Sequence, residues 1–176
     1  EGPYAQLANL FVIGLGMAGP TLIAHGSERQ KAQHLKPIVS GQAIWCQLFS
    51  EPSGGSDLAG LRSRAVRDGD DWLISGQKIW TTHAQHADFG LMLARTDLNV
   101  AKHAGLTMFI VDMKSAGVEV RPIRQMTGES HFNEVFFSDM RVPDTCRIGE
   151  INGGWKVALT TLMNERLYLA ASIPTG

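Results

Sequence analysis

A chain of 176 residues and 19.2 kDa can bury one good core, or one domain with pieces of its neighbours. A formal net charge of -1 gives no electrostatic case for nucleic acid or an anionic membrane, and no apolar run is long enough to span a bilayer. Two cysteines, Cys46 and Cys146, are too few for a disulfide scaffold; reduced thiols in a cytoplasmic setting are expected, with the mitochondrial matrix as the alternative. The chain starts at Glu1 without a methionine and stops at Gly176 just after a helical pattern, so it reads as a segment of a longer polypeptide.

Residues 1 to about 41 carry helical spacing. Ser27-Glu28-Arg29-Gln30 fits a capping box, with Ser27 as the cap and Gln30 reaching back. Ala32, Leu35, Ile38 and Val39 form the expected apolar stripe, and Gly41 is a plausible stop. Gly14-Leu15-Gly16-Met17-Ala18-Gly19 matches the dinucleotide fingerprint G-x-G-x-x-G. That fingerprint needs an unbroken helix after it and an acidic residue about twenty positions on. Pro20 and Gly26 interrupt the segment, and Lys36 to Gly41 offers no carboxylate, so close helical packing of small residues is the better reading.

From Ala43 the periodicity becomes that of strands. Ala43 to Phe49 is the first candidate. Pro52 then stops the run, and Gly54 and Gly55 leave bare main chain that a ligand can approach. Ser56 adds a hydroxyl that can donate to an anion, so such a loop can cradle a phosphate, while composition alone favours an ordinary solvent loop. Leu61 to Arg67 and Trp72 to Trp80 flank the turn signal Asp68-Gly69-Asp70-Asp71 and predict a hairpin. Arg62, Arg64 and Arg67 alternate, as on a solvated face or a path for phosphates. His83, His86 and Asp88 are weak evidence for a metal, since no helix is predicted there.

Phe89 to Arg95, Leu106 to Asp112, Val118 to Ile123 and Asn133 to Phe137 complete the strands. Many short strands without intervening helices argue an antiparallel barrel or sandwich. Ile151 to Gly154 reads as a link, followed by a helix from Trp155 to about Ala171. On that helix Glu165 falls on the same face as Ala158, Leu162 and Leu169. A carboxylate on an apolar stripe requires a partner or a purpose.

Leu48-Phe49-Ser50-Glu51-Pro52 with Gly55-Ser56-Asp57, Gly76-Gln77-Lys78 with Trp80 and Thr82, Phe132 to Val135, Arg141-Val142-Pro143 and Asn164-Glu165-Arg166 together resemble the middle domain of acyl-CoA dehydrogenases. The resemblance keeps motif order and covers nearly the whole chain. It implies an α+β fold: residues 1–42 as the end of a helical domain, 43–150 as an antiparallel β-barrel, and 151–176 as the first helix of a carboxyl-terminal bundle. It implies FAD, with Phe49, Ser50, Gly55 and Ser56 lining the flavin and its pyrophosphate, and Trp80 and Thr82 at the ring. A threonine hydroxyl can both donate to and accept from a ring nitrogen, which suits Thr82.

By the same resemblance Ser56 and Arg166 meet the acyl-CoA substrate, and Glu165, directly before Arg166, matches the glutamate that some members use as the base. Desolvation on an apolar face would make that carboxylate a stronger base, whereas its bland alternative is an interhelical salt bridge. The loop from Met126 to His131 is expected to approach the thioester and flavin. The expected partners are an electron-transferring flavoprotein and further copies of the chain, as a dimer or tetramer. The sequence departs from the family at Ser53, where glycine is common, at Ser50, where threonine is frequent, and at Gln47, where some members carry an aromatic. A flavin monooxygenase and a non-catalytic β-barrel binding subunit are the rival readings.

Overall fold

The computed structural model describes residues 9–171. A π-helical stretch, Gly14–Ala18, runs straight into α1 (Gly19–His25), and α2 (Glu28–Val39) follows after a break at Gly26 and Ser27. The capping box forms as expected: Ser27 Oγ accepts from Gln30 N at 3.2 Å, and Gln30 Oε1 accepts from Ser27 N at 3.0 Å. The buried stripe of α2 differs from the expected one. Gln30, His34 and Ile38 face inward, whereas Ala32 and Val39 are exposed. Polar residues hold that stripe because they find partners. Gln30 Nε2 donates to Thr145 O and Arg147 O at 2.8 Å, and the His34 ring sits edge-on against Trp45 and Phe89.

The glycines of the dinucleotide-like motif serve close packing. A Cβ at Gly16 would lie 2.6 Å from Tyr168 Cγ, and one at Gly19 would lie 3.2 Å from Gly14 O. Tyr168 belongs to α3 (Gly154–Ala171), which crosses the π-helical stretch. Thr21 and Thr161 share a buried hydroxyl hydrogen bond of 2.9 Å across the same contact.

The strands are β1 (Trp45–Leu48), β2 (Arg64–Asp68), β3 (Asp71–Thr82), β4 (Phe89–Arg95), β5 (Leu106–Asp112), β6 (Val118–Ile123), β7 (Phe132–Pro143) and β8 (Arg147–Ile148). They run β6-β7-β3-β2-β4-β5-β8, with β1 also paired to β4. This corrects the expected antiparallel barrel in two respects. The ladder is open, with β6 and β8 at its ends, and β1 and β2 each run parallel to β4. The sheet curls instead of closing. Trp72 of β3 reaches Phe109 of β5 with ring centroids 5.5 Å apart, across the intervening strands. The expected β2–β3 hairpin is present, turned at Gly69 with φ of 62°.

The two faces of the sheet follow the period of two. Leu91 and Leu93 of β4, with Leu106, Met108 and Ile110 of β5, join Met17, Leu22, Ile38, Val157 and Ala158 in a core under the helices. Met92, Ala94, Phe109 and Val111 point the other way, into the core enclosed by the curl. In β1, Trp45 belongs to the helical side and Cys46 and Leu48 to the curl, which places Gln47 on the helical side.

Candidate functional site

The site is built around an excursion of the chain. β1 pairs with Phe89 to Met92 of β4, and Arg64 of β2 pairs with Arg95 of the same strand. Residues 49–63 leave the sheet between those two stretches and rejoin it where Arg95 N donates to Ser63 O at 2.8 Å. A segment removed from a ladder must satisfy its backbone elsewhere. Three buried charged side chains do this. Arg95 donates to Ala59 O at 2.5 Å and to Leu61 O at 3.2 Å. Glu51 accepts from Arg62 N at 2.6 Å and Ser63 N at 2.9 Å, so it clamps both ends of the loop. Lys78 of β3 donates to Phe49 O at 3.1 Å, Leu93 O at 2.9 Å and Glu51 Oε1 at 2.8 Å.

Lys78 therefore connects the loop to the strand that ends in Trp80-Thr81-Thr82. Between Lys78 and Thr81 the β3–β7 register shifts, and Trp80 adopts φ of 60°. A left-handed conformation is costly for a bulky residue, and bulges recur where a side chain is re-aimed. The result is an indole 59% exposed beside the Phe132 ring.

One cavity of about 1320 Å³ gathers these parts. Phe49 and Ser50 from the loop, Trp80 and Thr82 from β3, Gln47 from β1 and Glu165 from α3 all line it. Leu10, Val12, Ile13 and Met17 form an apolar end. His83, Gln85, His86, Glu129, Ser130 and His131 form a polar end. That polar end is framed by hydrogen bonds from His83 N to His131 O at 2.8 Å and from Gln85 Nε2 to Ser130 O at 2.8 Å. Burial lowers the His83 pKa, helped by His131 and His86, so its imidazole favours the neutral form.

Gly55, Ser56 and Arg166 are not among the residues lining the cavity; all three are exposed. A Cβ at Gly55 would meet nothing within 4 Å, so its backbone stands open. The loop end at Glu129, Ser130 and His131 reaches the cavity as expected, whereas Met126 is fully exposed. Glu165 is half-buried, above a buried Ala158 and a half-buried Leu162; the side chain of Leu169 lies outside the described residues. Gln47 Nε2 donates to Glu165 Oε2 at 3.3 Å.

Asp88 does not join His83 and His86. It accepts from Ile44 N at 3.0 Å and pairs with Lys114 at 2.5 Å. Arg62 and Arg64 are exposed, and Arg67 pairs with Asp144, as on a solvated face. In the sequence Glu51 and Lys78 stand only as members of family motifs and Arg95 only as a strand end, with no signal that the three are buried together. The triple acceptor and donor environment that buries them is a tertiary fact.

The family model described as acyl-CoA dehydrogenase, middle domain, matches residues 46–140. The chain is 48% identical over 159 residues to acyl-CoA dehydrogenase FadE34 of Mycobacterium tuberculosis, covering 90% of this chain and 22% of that protein. It is 45% identical to acyl-CoA dehydrogenase FadE29 of the same organism, covering 89% of this chain and 41% of that one. Among solved structures, the Tcur3481-Tcur3483 steroid ACAD superposes with a TM-score of 0.88 at 40% identity, over 94% of this chain and 44% of that chain. A glutaryl-CoA dehydrogenase from Mycobacterium smegmatis in complex with FADH2 superposes with a TM-score of 0.78 at 30% identity, over 88% of this chain and 39% of that chain. The chain thus spans less than half the length of these relatives.

Proposed function

The chain belongs to the acyl-CoA dehydrogenase family through its middle domain, and from that membership we propose that it forms the FAD- and acyl-CoA-binding centre of an enzyme that makes acyl-CoA thioesters α,β-unsaturated. The observation that carries this reading is convergence. Phe49, Ser50, Trp80, Thr82 and Glu165 come from three separate elements and line one cavity.

The wall suits a flavin. An open indole offers a flat apolar surface, and the Ser50 and Thr82 hydroxyls offer donors and acceptors to a heteroaromatic ring. The exposed backbone at Gly55, with the Ser56 hydroxyl beside it, can take the pyrophosphate. When bound, the flavin supplies the acceptor for the hydride that leaves the β carbon. The other work falls to the chain. Glu165 removes the proton α to the thioester carbonyl, and water is excluded by the apolar end of the cavity. Leu10, Val12, Ile13 and Met17 receive the hydrocarbon of a fatty-acyl substrate of the β-oxidation type. Ser56 and Arg166 bind the CoA portion at the exposed rim. Electrons then pass to an electron-transferring flavoprotein, and the enzyme works as a dimer or tetramer.

The test is direct. The purified enzyme should carry FAD, and anaerobic mixing with acyl-CoA should bleach its flavin absorbance and yield the enoyl-CoA. A colourless protein, or a flavin that acyl-CoA leaves oxidised, contradicts the proposal.

A further inference from the structure

We propose that Gln47 is a positioning residue for Glu165, an inference that rests on the reading of Glu165 as the base. Gln47 lies on the helical side of β1, and its Nε2 donates to Glu165 Oε2 at 3.3 Å across to α3. A carboxylate only accepts, so this contact fixes the amide: the NH2 group faces Glu165 and the carbonyl oxygen faces away. That oxygen, Gln47 Oε1, is buried and has no hydrogen-bond partner among the described residues. A buried unpaired carbonyl is unfavourable, and a methionine would fill the same volume without it. The amide thus turns its donor to this one carboxylate and its carbonyl away from it.

The geometry gives the donor a task. Glu165 is half-buried on a helix whose neighbours Met163, Arg166 and Leu167 are exposed, and its carboxylate accepts from Gln47. A glutamate has three rotatable side-chain bonds and needs a tether to hold one oxygen towards a substrate. Gln47 ties down Oε2. Oε1 is the oxygen left for a substrate in the cavity that both residues line. β1 is a rigid place from which to do this, since its Trp45 and Leu48 are fully buried on either side of Gln47.

The experiment isolates the base from the redox step. An arylacetyl-CoA has α-hydrogens but no β-hydrogen to surrender, so in deuterium oxide the FAD-loaded enzyme can only exchange its α-hydrogens. Mass spectrometry reads that exchange. Gln47→Met keeps the length and volume and removes the donor. Exchange should fall about tenfold, the worth of one hydrogen bond to a charged group. FAD retention and the Kd of the analogue should stay within about threefold of wild type. In a Glu165→Gln background the added Gln47→Met change should have no further effect, because a residue that acts through another is silent once its partner is gone. Gln47→Asn, polar but one methylene too short, should reproduce the loss and serves if the methionine variant fails to fold. Unchanged exchange in folded Gln47→Met, with exchange lost in Glu165→Gln, overturns the role of Gln47 and leaves the base assignment standing. Undiminished exchange in Glu165→Gln overturns both.

Discussion

Lys78 Nζ lies 2.8 Å from Glu51 Oε1, with the two side chains only 0% and 4% exposed. Burial pushes the Lys78 ammonium down to about 8, against the pull of Glu51. In Glu51 burial acts to raise the pKa, but the Lys78 charge and the donors at Arg62 and Ser63 outweigh it and leave it lowered. The pair is thus ionised at neutral pH, and it holds the 49–63 loop against β3. Lys78→Met should destabilise the fold by about 3–5 kcal/mol, because it strands a buried carboxylate as well as the carbonyls of Phe49 and Leu93. Lys78→Met with Glu51→Gln should recover part of that loss. Denaturant unfolding measures both; a single variant within about 1 kcal/mol of wild type would show the pair to be dispensable.

Asp144, beside Trp72 at the start of β3, should make the fold sensitive to acid. It accepts from Trp72 Nε1 at 2.8 Å, Arg67 Nη1 at 2.8 Å and Arg147 Nε at 3.0 Å. Arg147, aided by Trp72 and Arg67, holds it at about 2, below the ordinary 3.8. The folded state therefore binds this proton less readily than the unfolded chain. The stabilisation is complete above the ordinary value and fades as the pH falls through about 4 towards 2. Melting temperature should drop across that window, and Asp144→Asn should flatten the drop. An equal slope in the variant would mean that other carboxylates control acid unfolding.

Gly55 separates ligand contact from folding. Its Cβ direction is open, so Gly55→Val should keep the wild-type melting temperature. If the bare backbone meets the FAD pyrophosphate, the same variant should release FAD on dialysis. Gly76 is the contrast. Its φ is 149° and a Cβ there would sit 2.7 Å from Ser63 Cα, so Gly76→Ala should destabilise by about 1–3 kcal/mol. Normal FAD retention in Gly55→Val would make the loop a structural feature alone.

Thr82→Val preserves shape and removes one hydroxyl from the cavity wall. The expected loss is about 0.5–1.5 kcal/mol of flavin affinity, with a matching shift in redox potential. A flavin spectrum, potential and affinity identical to wild type would place the Thr82 hydroxyl away from the ring.

Local pattern made much of this legible. β4, β5 and β6 occupy the predicted residues because their β-branched and apolar runs end at clear punctuation. β7 extends beyond the predicted Phe137 to Pro143, since Ser138 and Asp139, the latter at φ of 47°, disguise a bend as a stop. The open ladder was not legible: closure depends on whether β6 meets β8, and no local pattern encodes that pairing. The site shows the same division. Phe49, Ser50, Trp80 and Thr82 stand in motifs, whereas the tether at Gln47 and the burial of Lys78 depend on neighbours 118 and 27 residues away in sequence.

If this segment supplies both the flavin wall and the base, Glu165→Gln separates the two. The change keeps the side-chain shape and removes basicity. Stopped-flow absorbance, after anaerobic mixing of the FAD-loaded variant with saturating acyl-CoA, measures flavin reduction. FAD content should be normal and the reduction rate lowered by about 100-fold or more, the scale of a lost general base. Reduction near the wild-type rate would contradict that role for Glu165 and place the base elsewhere in the enzyme.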